Sequence, residues 1–228
     1  MATKSISKPS LAIFDTFKTR RNKFTGEAKR QRGIIAHLAM ESNPGLKTRT
    51  AIAHAIAEKH GILWQNIYSG IFRDLDEVLI PLHVVKEGGR LPLRRGPRAL
   101  QQEGVPYYQL TEAGLIVAST LEELGDNRIK MLERYLDMLP VSDADHKLLR
   151  DAMLMLLKFA PSFVFKMINE YITSYTQGRV MDLVPIDVTK MQAIAAKVIG
   201  VEKELIEAFV TMSHKEQNMV CSFIRMIS

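Results

Sequence analysis

Three successive stretches in the first part of the chain space their apolar side chains by three and four residues, the signature of amphipathic helices. The first is predicted over Glu27–Glu41, with Ile34, Ile35, Leu38 and Ala39 facing inward and Asn43-Pro44-Gly45 stopping it. Thr48 is placed to cap a second helix that runs to Lys59 on Ala51, Ile52, Ala55 and Ile56, and His60-Gly61 forms its turn. The third is predicted over Trp64–Leu79. At about 100° per residue, Trp64, Ile67, Tyr68, Ile71, Phe72, Leu75, Val78 and Leu79 share one apolar arc. Gln65, Asn66, Ser69 and Arg73 fall on the opposite side, with Gln65, Ser69 and Arg73 in a single polar stripe.

The period then changes. Leu82–Lys86 and Val105–Leu110 read as strands on either side of a segment rich in glycine, proline and arginine, Glu87–Gly104. After Thr111 only helical spacing remains, over Glu112–Leu124, Arg128–Leu139, Asp143–Ala160, Pro161–Thr176, Val188–Ile199, Val201–Met212 and His214–Met226. Pro161 suits a first helical position, Gly178 and Gly200 suit helix ends, and Ser213–Glu216 reads as a capping box.

The octapeptide Tyr107–Gly114 (YYQLTEAG) follows these helices and strands at a telling distance. It resembles the end of the wing in winged helix-turn-helix regulators, including the PadR and MarR groups, where an aromatic strand ending in Leu-Thr-x-x-Gly leads into the next helix. The resemblance covers residues 27–124. It implies a mainly α protein, with an N-terminal winged helix domain (three helices plus a β-hairpin wing) followed by an all-α helical domain. The domains expected are a flexible basic arm over 1–24, with a short helix near Leu11–Phe17, then the winged helix domain over 25–124 and the helical domain over 125–228. Locally, Thr111 is suited to cap the next helix and Gly114 to let helix and sheet approach closely.

Charge sharpens this reading. Residues 1–32 hold nine Lys or Arg against two acids, whereas residues 110–228 hold thirteen against sixteen. A basic front and a mildly acidic rear point to a polyanion partner for the front. Gln65, Asn66, Ser69 and Arg73 are the candidates for base contacts, because Gln and Asn pair with adenine edges and Arg with guanine. Asp74, Asp76 and Glu77 would repel phosphates, so only the front half of that helix is expected to enter a groove. Arg90, Arg94, Arg95 and Arg98 crowd the wing, which Gly88, Gly89 and Gly96 make pliable, and are candidates for the backbone or a narrow minor groove. Lys47 and Arg49, at the start of the second helix, are candidate phosphate anchors. Lys18, Arg20, Arg21, Lys23, Lys29, Arg30 and Arg32 would add nonspecific affinity from the arm.

Other chemistries find no support in the pattern. Of the six histidines only His146, beside Asp143 and Asp145, approaches metal-ligand spacing, and it reads as a helix start; the one cysteine, Cys221, cannot form an internal disulfide. No GxxxxGK[ST], GxGxxG or GxSxG motif occurs, and no acid, base and nucleophile converge. No catalytic residue, metal or cofactor is therefore expected. The expectation is a cytoplasmic, nonmembrane transcriptional regulator, associated with the nucleoid if prokaryotic, with double-stranded DNA as partner and a homodimer formed through the C-terminal helices. The pattern leaves a small-molecule effector open. The rival readings are an architectural or replication-associated DNA binder and a winged helix protein-interaction module.

Overall fold

Helices dominate a computed structural model that describes residues 9–92, 104–141 and 143–227, and the described strands form two small antiparallel hairpins. The first hairpin pairs β1 (Thr16–Phe17) with β2 (Arg20–Phe24). Just before it, Leu11, Ala12 and Ile13 are buried. The Ala12 N–H donates to Gln31 Oε1 at 2.8 Å, and Arg32 Nη1 donates to the Ile13 carbonyl at 3.2 Å. Leu11, Ala12 and Ile13 thus pack rather than trail as part of an arm, while residues 15–20 are exposed, and the expected short helix at Leu11–Phe17 is instead a buried strip and a strand. An apolar triplet flanked by Lys, Ser and Thr carries no periodicity; its burial depends on Gln31 and Arg32, which are distant in sequence.

Helix α1 (Gly26–Met40) starts at Thr25, whose hydroxyl accepts from the Ala28 N–H at 3.1 Å. It lies against α2 (Arg49–His60), α3 (Gln65–Arg73), and the later elements β4 (Val105–Leu110) and α4 (Glu112–Ala118). A Cβ on Gly33 would stand 3.2 Å from Ile56, so the missing side chain lets α1 and α2 cross closely. Thr48 caps α2 at 3.3 Å, and Gly61 ends it in the left-handed conformation at φ 62°.

The predicted third helix has the expected extent but two parts. Past Arg73 the hydrogen bonding widens into a π-helical segment, Asp74–Leu79, which buries Leu75, Val78 and Leu79. The coil persists through Leu82 and His83, whose N–H groups donate to Val78 and Ile80 at 2.9 Å each. Strand β3 (Val85–Leu91) therefore begins later than the predicted Leu82, runs through Gly88 and Gly89, and pairs antiparallel with β4.

Thr111 then caps α4, its hydroxyl accepting from the Gly114 N–H at 3.1 Å. A Cβ on Gly114 would lie 2.2 Å from the Val84 carbonyl oxygen, so only glycine lets α4 sit this close to the hairpin. The predicted helix over Glu112–Leu124 is interrupted. The Ser119 and Thr120 hydroxyls donate to the Ile116 and Val117 carbonyls at 2.7 Å each, and a 3-10 turn follows at Glu122–Leu124.

Glu123 on that turn faces α1. Arg32 Nε donates to its Oε1 at 2.9 Å and Arg32 Nη2 to its Oε2, while the Phe24 ring lies 4.2 Å from the guanidinium carbon. Burial raises the Glu123 pKa. Hydrogen bonds from Arg32 and the backbone, with the charges of Arg32 and Lys59, outweigh burial and hold the carboxyl below its ordinary value.

Helix α5 (Asn127–Met138) packs on α4, α6 (Ala144–Phe159) on α5, and α7 (Pro161–Thr176) on α6. The segment after α7 folds back, so that the Ile186 N–H donates to the Tyr135 hydroxyl at 3.1 Å. Whereas the sequence suggests a division at Leu124, the compact units divide after Ile186, because α4 and α5 share one core. The second unit, Asp187–Ser228, holds α8 (Val188–Val198), α9 (Gly200–Thr211) and α10 (His214–Ile227). Glu216 accepts from the Ser213 N–H at 2.8 Å at the start of α10, and Met191 is buried.

Gly114→Ala is expected to destabilise the protein by about 2–3 kcal/mol through overpacking against backbone. Gly200→Ala, where the added Cβ meets nothing within 4 Å, should change stability by less than about 0.5 kcal/mol. Urea titration of both variants checks this. The Glu123 carboxylate makes a pH-dependent contribution, because its folded pKa is lowered: the stability is present above the ordinary 4.5 and lost as pH falls through the folded value. The stability gap between wild type and Glu123→Gln should accordingly narrow as denaturation is repeated at lower pH. A gap that stays constant from neutral to acid pH would contradict the assignment.

Candidate nucleic-acid interface

The front of α3 is polar and open. Gln65, Asn66, Ser69 and Arg73 are all exposed, on the side opposite the buried Ile71. The predicted apolar arc is only partly buried: Trp64, Ile67, Tyr68 and Phe72 are half-buried, while Ile71, Leu75, Val78 and Leu79 form the core contact. The rings form a ladder beside α2, with centroid separations of 4.7 Å for His54–Trp64, 5.1 Å for Trp64–Tyr68 and 4.5 Å for Tyr68–Phe72. The Tyr68 and Thr50 hydroxyls stand 3.4 Å apart.

Arg49 fixes the relation between α3 and the hairpin. Its guanidinium carbon sits 4.7 Å from the Phe72 ring centroid and 5.5 Å from that of Tyr108, and one of its amino groups pairs with Asp76. One side chain at the start of α2 therefore touches both α3 with its π extension and strand β4. The backbone repeats the connection: the Tyr108 N–H donates to the Lys47 carbonyl at 3.0 Å, and Thr48 bridges to Tyr107. Tyr108 is fully buried; burial raises its pKa against the opposing effect of Arg49, so the phenol remains neutral.

Arg49 was expected to anchor a phosphate, and the structure commits it instead to Asp76 and two rings. The cause is geometric. Asp76 lies one turn beyond Phe72 on the side of α3 that faces the start of α2. Arg30 and Arg32, expected in the basic arm, are likewise internal. Arg30 Nε donates to Asp74 Oδ2 at 2.7 Å, with Asp74 fully buried, and Arg32 pairs with Glu123. A Cβ on Gly70 would come within 2.7 Å of Arg30 Nε, so Gly70 keeps the passage to Asp74 open. Two of the three acids expected to repel phosphate, Asp74 and Asp76, are thus neutralised by arginines.

Among the remaining candidates, Lys47 is half-buried and Arg90 is exposed on β3, 3.7 Å from Glu87. Arg94, Arg95 and Arg98 lie outside the described residues. Gly88 and Gly89 are occupied rather than merely pliable: a Cβ on Gly88 would stand 2.5 Å from the Tyr107 ring, which lies across both glycines at the bulge. Lys18, Arg20 and Lys23 are exposed on the first hairpin. The roles of Arg30, Gly70, Asp74 and Asp76 were missed, although an acidic cluster on a helix expected to enter a groove, preceded by arginines in α1 and α2, was a signal for such pairing.

No described group of His, Cys, Asp and Glu is arranged to hold a metal ion, and no described helix is long and apolar enough to cross a membrane. No protein-family model, curated protein or solved structure matches the chain.

Arg49→Met should keep the stem between Phe72 and Tyr108 but lose the charge contacts, at a cost of about 1–2 kcal/mol. Hydrogen exchange at the Tyr108 amide, which bonds across to Lys47, should accelerate in the variant relative to amides of α7. Unchanged protection at Tyr108 would mean that Arg49 does not hold the hairpin in place.

Proposed function

We propose that this protein is a DNA-binding transcriptional regulator that uses a winged helix-turn-helix. In this reading α2 and α3 form the helix-turn-helix, α3 enters the major groove, and β3–β4 is the base of the wing. The observation that carries it is the Arg49 contact with Phe72, Asp76 and Tyr108, which holds the exposed face of α3 in a fixed relation to the hairpin. A reader that spans a groove needs this rigidity, because base edges and phosphates must be met in one register.

Gln65, Asn66, Ser69 and Arg73 are assigned to base edges. Arg90, Arg94, Arg95 and Arg98 are assigned to the backbone or minor groove, and Lys47 to a phosphate. Arg49 becomes a positioning residue. Its pairing with Asp76, like that of Arg30 with Asp74, removes negative charge that would otherwise face the phosphates. The exposed Lys18, Arg20 and Lys23 give the first hairpin a role in nonspecific attraction. The dimer expected through the C-terminal helices belongs to the same proposal and would read paired half-sites.

Fluorescence anisotropy on a duplex selected from genomic fragments, alongside a random duplex, tests the reading. With about six phosphates neutralised, log affinity should fall against log salt with a slope of about −5. Gln65→Ala/Arg73→Ala should weaken the selected duplex by about 10- to 100-fold and the random duplex little. Arg94→Ala/Arg95→Ala should weaken both and flatten the salt slope by about 2. A specificity ratio near unity would favour an architectural binder. Duplex affinity indifferent to the wing arginines would favour a protein partner.

A further inference from the structure

A groove on the outer side of α1 and α2 stands apart from the surface assigned to DNA. Its larger cavity, of about 450 Å³, lies between α1, α2 and the 3-10 turn at Glu122–Leu124. Ala36, Ile56 and Leu124 contribute apolar lining, and Lys29, Lys59 and His60 stand exposed at its edge. A second cavity, of about 360 Å³, adjoins it along a shared wall of Lys29, Ile56 and His60 and continues towards Ile62 and Ile67 at the foot of α3. The close crossing at Gly33 makes Ile56 common ground for both cavities.

The charges around this groove do not balance. Glu123 is its carboxylate, and Arg32 already neutralises it through two hydrogen bonds. Lys29 and Lys59 stand on opposite walls, one from each helix; Lys59 also adds to the field that lowers the Glu123 pKa, but with Arg32 the cations outnumber the one carboxylate, and neither lysine forms a close ion pair among the described residues. An apolar floor under two lysines selects for a ligand with matching halves. A hydrocarbon or aromatic body would displace water from Ala36, Ile56 and Leu124, and an anionic head would meet the lysines. The volume falls within the span of sites for small organic molecules, about 300–1,000 Å³.

We infer that this groove binds a small organic anion with an apolar body, its charge held between Lys29 and Lys59. Inorganic anions lack the body to fill the floor, and neutral hydrophobes lack the charge for the rim. None of the residues assigned to base or backbone contact under the proposed function lines the groove; Lys29 and Arg32, read in the sequence as adding nonspecific affinity, lie in its wall instead.

Anilinonaphthalene sulfonate and its neutral counterpart, N-phenylnaphthylamine, are suitable probes because they share a body and differ in charge. Trp64, the only tryptophan, precedes α3 and transfers energy to a probe bound nearby. Titration of the full chain should give the sulfonate an affinity at least about tenfold above that of the amine. Lys29→Gln/Lys59→Gln should raise the Kd of the sulfonate by at least about threefold and leave the amine within about twofold, with far-UV circular dichroism unchanged. Lys190→Gln/Lys203→Gln, in the second unit, serves as the charge-matched control and should behave as wild type. Equal affinities for the two probes, a smaller loss on removing Lys29 and Lys59, or an equal loss in the control would each overturn the assignment.

Discussion

The arrangement of the first unit depends on arginines that reach across sequence to carboxylates. Arg30 meets Asp74, Arg32 meets Glu123, and Arg49 meets Asp76. Each contact joins separate elements: α1 to the π segment, α1 to the turn after α4, and α2 to the π segment. A half-buried pair of this kind contributes little net energy compared with a well-packed apolar contact, but breaking it strands a charge. Its effect is registry. Bidentate guanidinium contacts fix angle as well as distance, and Arg30 and Arg32 each engage both oxygens of their partner.

That dependence explains which parts of the fold were legible. Local signals were sufficient wherever an element ends on its own chemistry: Thr48 and Thr111 cap the helices that follow them, Pro161 opens α7, and Val105–Leu110 is the strand expected after the glycine-, proline- and arginine-rich segment. Gly114 was readable for the same reason, since the Leu-Thr-x-x-Gly pattern places a glycine where α4 must pass Val84. The exposed polar stripe of α3 also follows from period alone. The arginine pairings do not. A run of lysines and arginines before a helix looks the same whether its members face solvent or span the domain, and the difference lies in partners 27 to 91 residues away. The burial of Leu11, Ala12 and Ile13 was hidden likewise, because it needs Gln31 and Arg32 as its receptors.

The second unit poses the opposite situation. Described residues of α9 and α10 include no buried side chain, and Val201, Val210 and Met226 are each more than 70% exposed. Helices of this length are marginal in isolation and draw their stability from a covered apolar face. Met191 is the one buried side chain among the described residues of the unit. Its helical periodicity was therefore easy to read, whereas the first unit, with its fully enclosed Tyr108, Tyr135 and Tyr171, required long-range information.

The boundary between α3 and its π extension brings these strands together. Before it, Gln65, Asn66, Ser69 and Arg73 are exposed on an ordinary α-helix; after it, Asp74, Leu75, Val78 and Leu79 are buried. In the proposed function the exposed half would have to present its side chains without shifting. Here the presenting half has little burial of its own beyond Ile71, so its rigidity is borrowed from the half that follows. Arg30 grips that half at Asp74, passing over Gly70, and Arg49 grips it at Asp76. Acidic residues that look unfavourable beside an exposed polar face are, on this geometry, what ties the helix behind that face to α1 and α2. Their charge is neutralised by arginines that would otherwise have been counted among the phosphate contacts.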